Sequence, residues 1–215
     1  MECVLGGVLM EASFPNRIPL AVGATTVGVR CSEGVVLASE KRVSYGLTVT
    51  SKSAKKVFRV TDRMGIACAG LIGDMQAIAR TLAVEASLYE LNFNRKMAIR
   101  SAAKLLANIL FSQRYMPLFS ETLLGGIDLE GPHLFILDPL GSLIEDDYAA
   151  IGSGASVAIA ILETEYKRDM NLKQAEDLAA KSIKVAIERD ALSGDGIDLL
   201  SISSGGIEER FTPLK

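Results

Sequence analysis

Apolar residues in this chain recur with two different periods, in blocks, and the order of the blocks limits the fold more than any other feature. Thr25 to Cys31 and Gly34 to Ser39 are β-branched runs parted by Ser32-Glu33-Gly34, a hairpin-turn composition. Val57 to Val60 and Met64 to Ala69 give two further strands around Thr61-Asp62-Arg63. The spacing then turns helical. Met75, Ile78, Ala79, Leu82 and Ala86 mark a stripe within Asp74 to Leu91, and Ile99, Ala102, Ala103, Leu106, Ile109 and Leu110 mark one within Lys96 to Tyr115. Strands return at Leu123 to Ile127, His133 to Leu137 and Asp147 to Ile151. A second helical pair covers Ser156 to Tyr166 and Leu172 to Ala191, with a helix stop at Ser193-Gly194. Ile197 to Ile202 and Glu208 to Phe211 close the chain as strands.

Strands, two helices, strands, two helices and strands, without strict βαβ alternation, predict an α+β architecture. Two antiparallel sheets stacked face to face, with a helix pair on each outer face, would bury every apolar stripe. No linker, low-complexity tract or repeat divides the 215 residues, so residues 24–215 are expected to form one domain. Residues 1–23 read either as a frayed or strand-like N-terminus or, more sharply, as a leader or propeptide, which would span 1–24 if cleavage precedes Thr25. Its apolar stretch from Cys3 to Met10 is short, has no basic n-region and is flanked by Glu2 and Glu11, which makes it a poor secretory signal. The apolar run Ala149 to Leu162 is too short and too Gly/Ser-rich to span a bilayer.

Composition removes several functional classes. With 23 basic against 26 acidic side chains and no dense Lys/Arg block, nucleic-acid binding is not expected. Cys3, Cys31 and Cys68 are odd in number and form no CxxC, so neither a disulfide framework nor a zinc site is indicated, and a cytoplasmic location fits. His133 is the single histidine and sits in an alternating strand pattern, as an ordinary strand residue rather than a triad base. Gly152-Ser153-Gly154 lacks the remaining features of a phosphate loop, and metal ligands are not clustered. No cofactor is expected.

One arrangement does suggest chemistry. Thr25-Thr26 opens the first strand directly after the leader. An N-terminal threonine can act alone, its hydroxyl attacking while its α-amine takes the proton. Such a site needs a nearby cation and a carboxylate to fix that cation. Glu40 ends the second strand and Lys56 opens the third, and both could reach the start of the first.

The blocks ATTVGVRCSEGVVLASEKR, SAKKVFRV, GIACAGLIGD, QRYMPLFSETLLGGID, YAAIGSGAS and IERDALSGDGID, in this order, closely resemble archaeal-type proteasome β subunits from about Ala24 to near the C-terminus. The resemblance implies the four-layer αββα sandwich of N-terminal-nucleophile hydrolases and a threonine-type endopeptidase ring that degrades unfolded polypeptides. Implied partners are α-type subunits, further β-type subunits in stacked seven-membered rings and, indirectly, a regulatory ATPase. The resemblance assigns Lys56 as the essential lysine, Glu40 as the carboxylate holding it, and the Gly70 N–H as the oxyanion donor. Ser153, Asp190 and Ser193 fall on the network around the nucleophile's amine, and Val43, Ala54, Cys68 and Ile72 on a small-to-medium apolar substrate pocket.

This copy departs from the family where it matters most. Counting back from Glu40 and Lys56 without gaps puts Ala24, in Gly23-Ala24-Thr25-Thr26, at the nucleophile's place. Alanine has no hydroxyl and can neither attack a substrate nor cleave the Gly23–Ala24 bond. Three readings stay open: a naturally silent ring subunit, an engineered Thr-to-Ala form, or cleavage after Ala24 with Thr25 as nucleophile. Against the third, a one-residue shift along a strand turns the side chain to the opposite face.

Overall fold

A computed structural model describes residues 23–46 and 48–214. The expected leader therefore lies outside the described residues except for Gly23, and so does Cys3. The elements run β1 (Thr25–Arg30), β2 (Gly34–Glu40), β3 (Val43–Tyr45), β4 (Thr48–Ser51), β5 (Val57–Arg59), β6 (Met64–Gly70), α1 (Ile72–Phe93) and α2 (Ile99–Ser112). They continue with β7 (Ser120–Asp128), β8 (Gly131–Leu137), β9 (Leu143–Glu145), β10 (Tyr148–Gly152), α3 (Ala155–Glu165), α4 (Leu172–Ile187), β11 (Ile197–Ser203) and β12 (Gly206–Thr212).

Two five-stranded antiparallel sheets form, in the orders β10-β1-β2-β11-β12 and β5-β6-β7-β8-β9. Val35, Leu37, Leu200 and Ile202 of the first meet Ala67, Leu123 and Leu134 of the second in a buried layer between them. On the outer face of the first sheet, Val27, Val29, Val36 and Ala38 pack against Ala158 and Leu162 of α3 and Ala175, Ala179 and Ile183 of α4. Ile66, Leu124 and Phe135 of the second sheet pack against Met75, Ile78 and Leu82 of α1 and Leu106 and Leu110 of α2. The order helix, sheet, sheet, helix is the α+β sandwich expected from the apolar periods.

Differences from expectation lie at element ends and in short strands. α4 stops at Ile187, short of Ala191. The N–H groups of Arg189 and Asp190 both turn back onto the Ala186 carbonyl, at 3.0 and 2.8 Å, which closes the helix early and leaves the Asp190 carboxylate to accept from Ser153 and Ser193. α2 covers Ile99–Ser112 rather than Lys96 to Tyr115, because Asp128 at the end of β7 accepts the Ile99 N–H at 2.8 Å and fixes the helix start. The β3–β4 hairpin and β9 carry no legible apolar period. No helix among the described residues is long and apolar enough to cross a membrane.

Candidate active site

β1 alternates its side chains between the two faces of its sheet. Val27 and Val29 face the helix layer, while Ala24 lies in the layer between the sheets. Thr26, on the Ala24 face, bridges the sheets by donating to the Cys68 carbonyl of β6 at 3.0 Å, and its Oγ1 lies 2.7 Å from Ser39 Oγ. Thr25, on the opposite face, is fully buried with its Oγ1 2.8 Å from Ser193 Oγ.

Glu40 and Lys56 meet beside this strand start, at 0% and 1% exposure, as a buried ion pair. Glu40 Oε1 accepts from the Lys56 ammonium, and its Oε2 accepts the N–H groups of Arg42 (2.6 Å) and Gly194 (2.9 Å). Lys56 also donates to the Arg42 carbonyl at 2.7 Å. Burial lowers the Lys56 ammonium below the ordinary lysine value, and Glu40 holds back part of that shift. The same burial raises Glu40, against the pull of Lys56. Full desolvation fixes the pair in place, since each charge depends on the other.

The third group comes from the β10–α3 and α4–β11 connections. The Ala24 N–H donates to Ser153 Oγ at 3.2 Å, and Ser153 Oγ lies 2.6 Å from Asp190 Oδ2. Ser193 Oγ donates to the same oxygen at 2.6 Å. With that proton committed, Thr25 must donate to Ser193. A chain of hydroxyls then runs from Thr25 through Ser193 to Asp190, met from the other side by Ser153 and the position-24 nitrogen.

Gly70 ends β6 with φ +138°, and a Cβ there would stand 2.1 Å from the Phe119 carbonyl, so only glycine fits. Among the expected pocket residues, Val43, Ala54 and Ile72 are half-buried, whereas Cys68 is fully buried in β6 on the α1/α2 side. Burial pushes the Cys68 thiol up to about 12. His133 lies in β8 with Nδ1 2.7 Å from Glu145 Oε1, bonded to that carboxylate as an ordinary strand residue rather than to the Lys56 cluster. Sequence reasoning did not find Arg42, Gly194 or Asp195. A positive charge two residues past Glu40 reads as solvated, and only the fold reveals its bonds to the 191–195 turn.

Two stacked antiparallel sheets between two helix pairs form the layered α+β fold of N-terminal-nucleophile hydrolases. The family model "Proteasome subunit" matches residues 21–202, and the chain belongs to that family. It is 54% identical to Proteasome subunit beta 2 of Pyrobaculum calidifontis over 196 residues, covering 91% of this chain and 97% of the relative. It is 56% identical to Proteasome subunit beta 1 of Ignicoccus hospitalis over 184 residues, 86% and 92% of the two chains. Proteasome subunit beta 2 of Thermofilum pendens is 54% identical over 190 residues, 88% and 93%. The chain is thus a β-type subunit of a proteasome core.

Proposed function

We propose that this chain is a silent β-type subunit of a self-compartmentalising threonine endopeptidase, with a complete supporting network around a position that carries no nucleophile. The observation behind this reading is the N–H of Ala24 on Ser153, beside the Glu40–Lys56 pair, while Thr25 is buried on the other face of β1. A threonine at 24, freed of its leader, would add its hydroxyl oxygen to a peptide carbonyl carbon and pass the proton to its own α-amine. Lys56 would favour the neutral amine, and the Gly70 N–H would receive the developing oxyanion. The amine would then protonate the departing peptide nitrogen, and water would release the ester. No cofactor enters this scheme. As the chain stands, its role is to complete a seven-membered ring stacked on α-type subunits and to keep its leader, residues 1–23. Sibling β subunits would cut unfolded polypeptides delivered by a regulatory ATPase in the cytoplasm. Neither nucleic acid nor membrane takes part. Tyr115 and Met116, 85% and 84% exposed beyond α2, suit a subunit with neighbours.

Intact-mass spectrometry after co-assembly with the α-type partner and no other β subunit tests this. The unaltered chain should keep its full mass, and Ala24→Thr should lose residues 1–23. Loss of residues 1–24 from the unaltered chain would make Thr25 the nucleophile and overturn the reading.

A further inference from the structure

Arg42 contacts both halves of the candidate centre without being one of its acting groups. Its backbone serves the ion pair: the N–H donates to Glu40 Oε2 at 2.6 Å and the carbonyl accepts from Lys56 at 2.7 Å. Its side chain serves the turn after α4. Nε donates to Asp195 Oδ2 at 2.8 Å, a second nitrogen lies 3.5 Å from Asp195 Oδ1, and the third donates to the Ala191 carbonyl at 3.0 Å. A planar fork that engages a carboxylate and a carbonyl together fixes orientation as well as distance.

The turn requires such a hold. Asp195 adopts φ +70°, a left-handed conformation rare outside glycine. Gly194 lies directly under the guanidinium, where a Cβ would stand 2.4 Å from an Arg42 nitrogen, and its N–H donates to Glu40. The Lys41 N–H donates to the Gly194 carbonyl at 3.0 Å. The segment that Arg42 clamps is therefore tied to Glu40, and it carries Asp190 and Ser193.

We propose that Arg42 is a positioning residue whose ion pair with Asp195 sets the 190–195 turn and the Glu40–Lys56 pair in one register, placing Ser193 and Asp190 for the amine of residue 24. This rests on position 24 being the nucleophile's place.

Two measurements test it, and they fail separately. In the unaltered full-length chain, the Gly194 amide should exchange its hydrogen slowly, and Arg42→Ala or the gentler Asp195→Asn should speed that exchange at least about tenfold. Unchanged exchange in both variants would overturn the clamp, whatever the activity. In the Ala24→Thr background, Arg42→Ala should lower kcat roughly 100-fold on a small peptide with KM held within about threefold. Arg42→Lys should restore little of it, because a point charge lacks the fork. Adding Asp195→Ala to Arg42→Ala should cost nothing more, since both remove one interaction. Unchanged kcat, a rise in KM alone, full rescue by lysine or additive losses would each overturn the positioning role. If Ala24→Thr alone fails to process, the reading of position 24 falls, and the exchange measurement still decides the clamp.

Discussion

Among the described residues, Lys56 and Glu40 are the two charges whose removal should hurt most, because neither has water to turn to. Lys56→Met would leave the Glu40 carboxylate buried with two amide donors and no cation. Breaking a buried pair from one side typically costs about 3–5 kcal/mol, and urea unfolding of the full-length chain should show a loss of that size. The double change Glu40→Leu with Lys56→Met should recover much of it, and a double variant as weak as the single would contradict the account. Residue types and order marked Glu40 and Lys56 only as a carboxylate and a cation near the start of the first strand; their roles came from family resemblance, and their meeting across two different sheets shows only in the fold. Asp190 and Ser193 were reachable only through family resemblance. The Thr25–Ser193 bond and the Arg42–Asp195 pair were not legible, because they depend on where α4 stops.

At the scale of elements, the long helices and central strands follow from apolar periodicity, while their ends follow from capping. α4 starts at a capping box: the Asn171 side chain accepts the Gln174 N–H at 2.9 Å, and the Gln174 side chain accepts the Asn171 N–H at 2.9 Å. Glu33, in the β1–β2 turn, accepts the next N–H, from Leu172, at 2.8 Å. Asn171→Ala should therefore lower stability by about 1 kcal/mol, read as a shifted denaturation midpoint with an unchanged slope. A shift near zero would mean that Glu33 alone satisfies this terminus. By contrast α2 takes its cap from Asp128, 29 positions later in the chain, which no local pattern could show. β3 and β4 escaped for a related reason. Thr48–Ser51 is exposed and polar-rich, and its pairing is set by the neighbouring structure rather than by a buried face.

Across the whole molecule, acid should weaken the fold through carboxylates spread over the second sheet. Burial works to raise Asp128, but the amides of Ile99 and Glu130 outweigh it and hold the carboxyl below its ordinary range. Burial opposes the shift at Asp138 too, and there the Ser142 hydroxyl and the amides of Ser142, Leu140 and Gly141 prevail. Groups depressed in the folded state contribute stability that is present above about pH 4 and lost as pH falls through their lower folded values. The melting temperature should fall between pH 5 and pH 2.5 (about the carboxylate range), and Asp138→Asn should flatten that fall. An unchanged slope in the variant would place the acid sensitivity elsewhere. The intact support around Ala24 also carries a hereditary consequence. Alanine and threonine codons differ by a single base in the first position, so under the proposed reading a lineage carrying this chain stands one point mutation from a working protease. On that reading, silence would be a state that populations can gain and lose without rebuilding the fold.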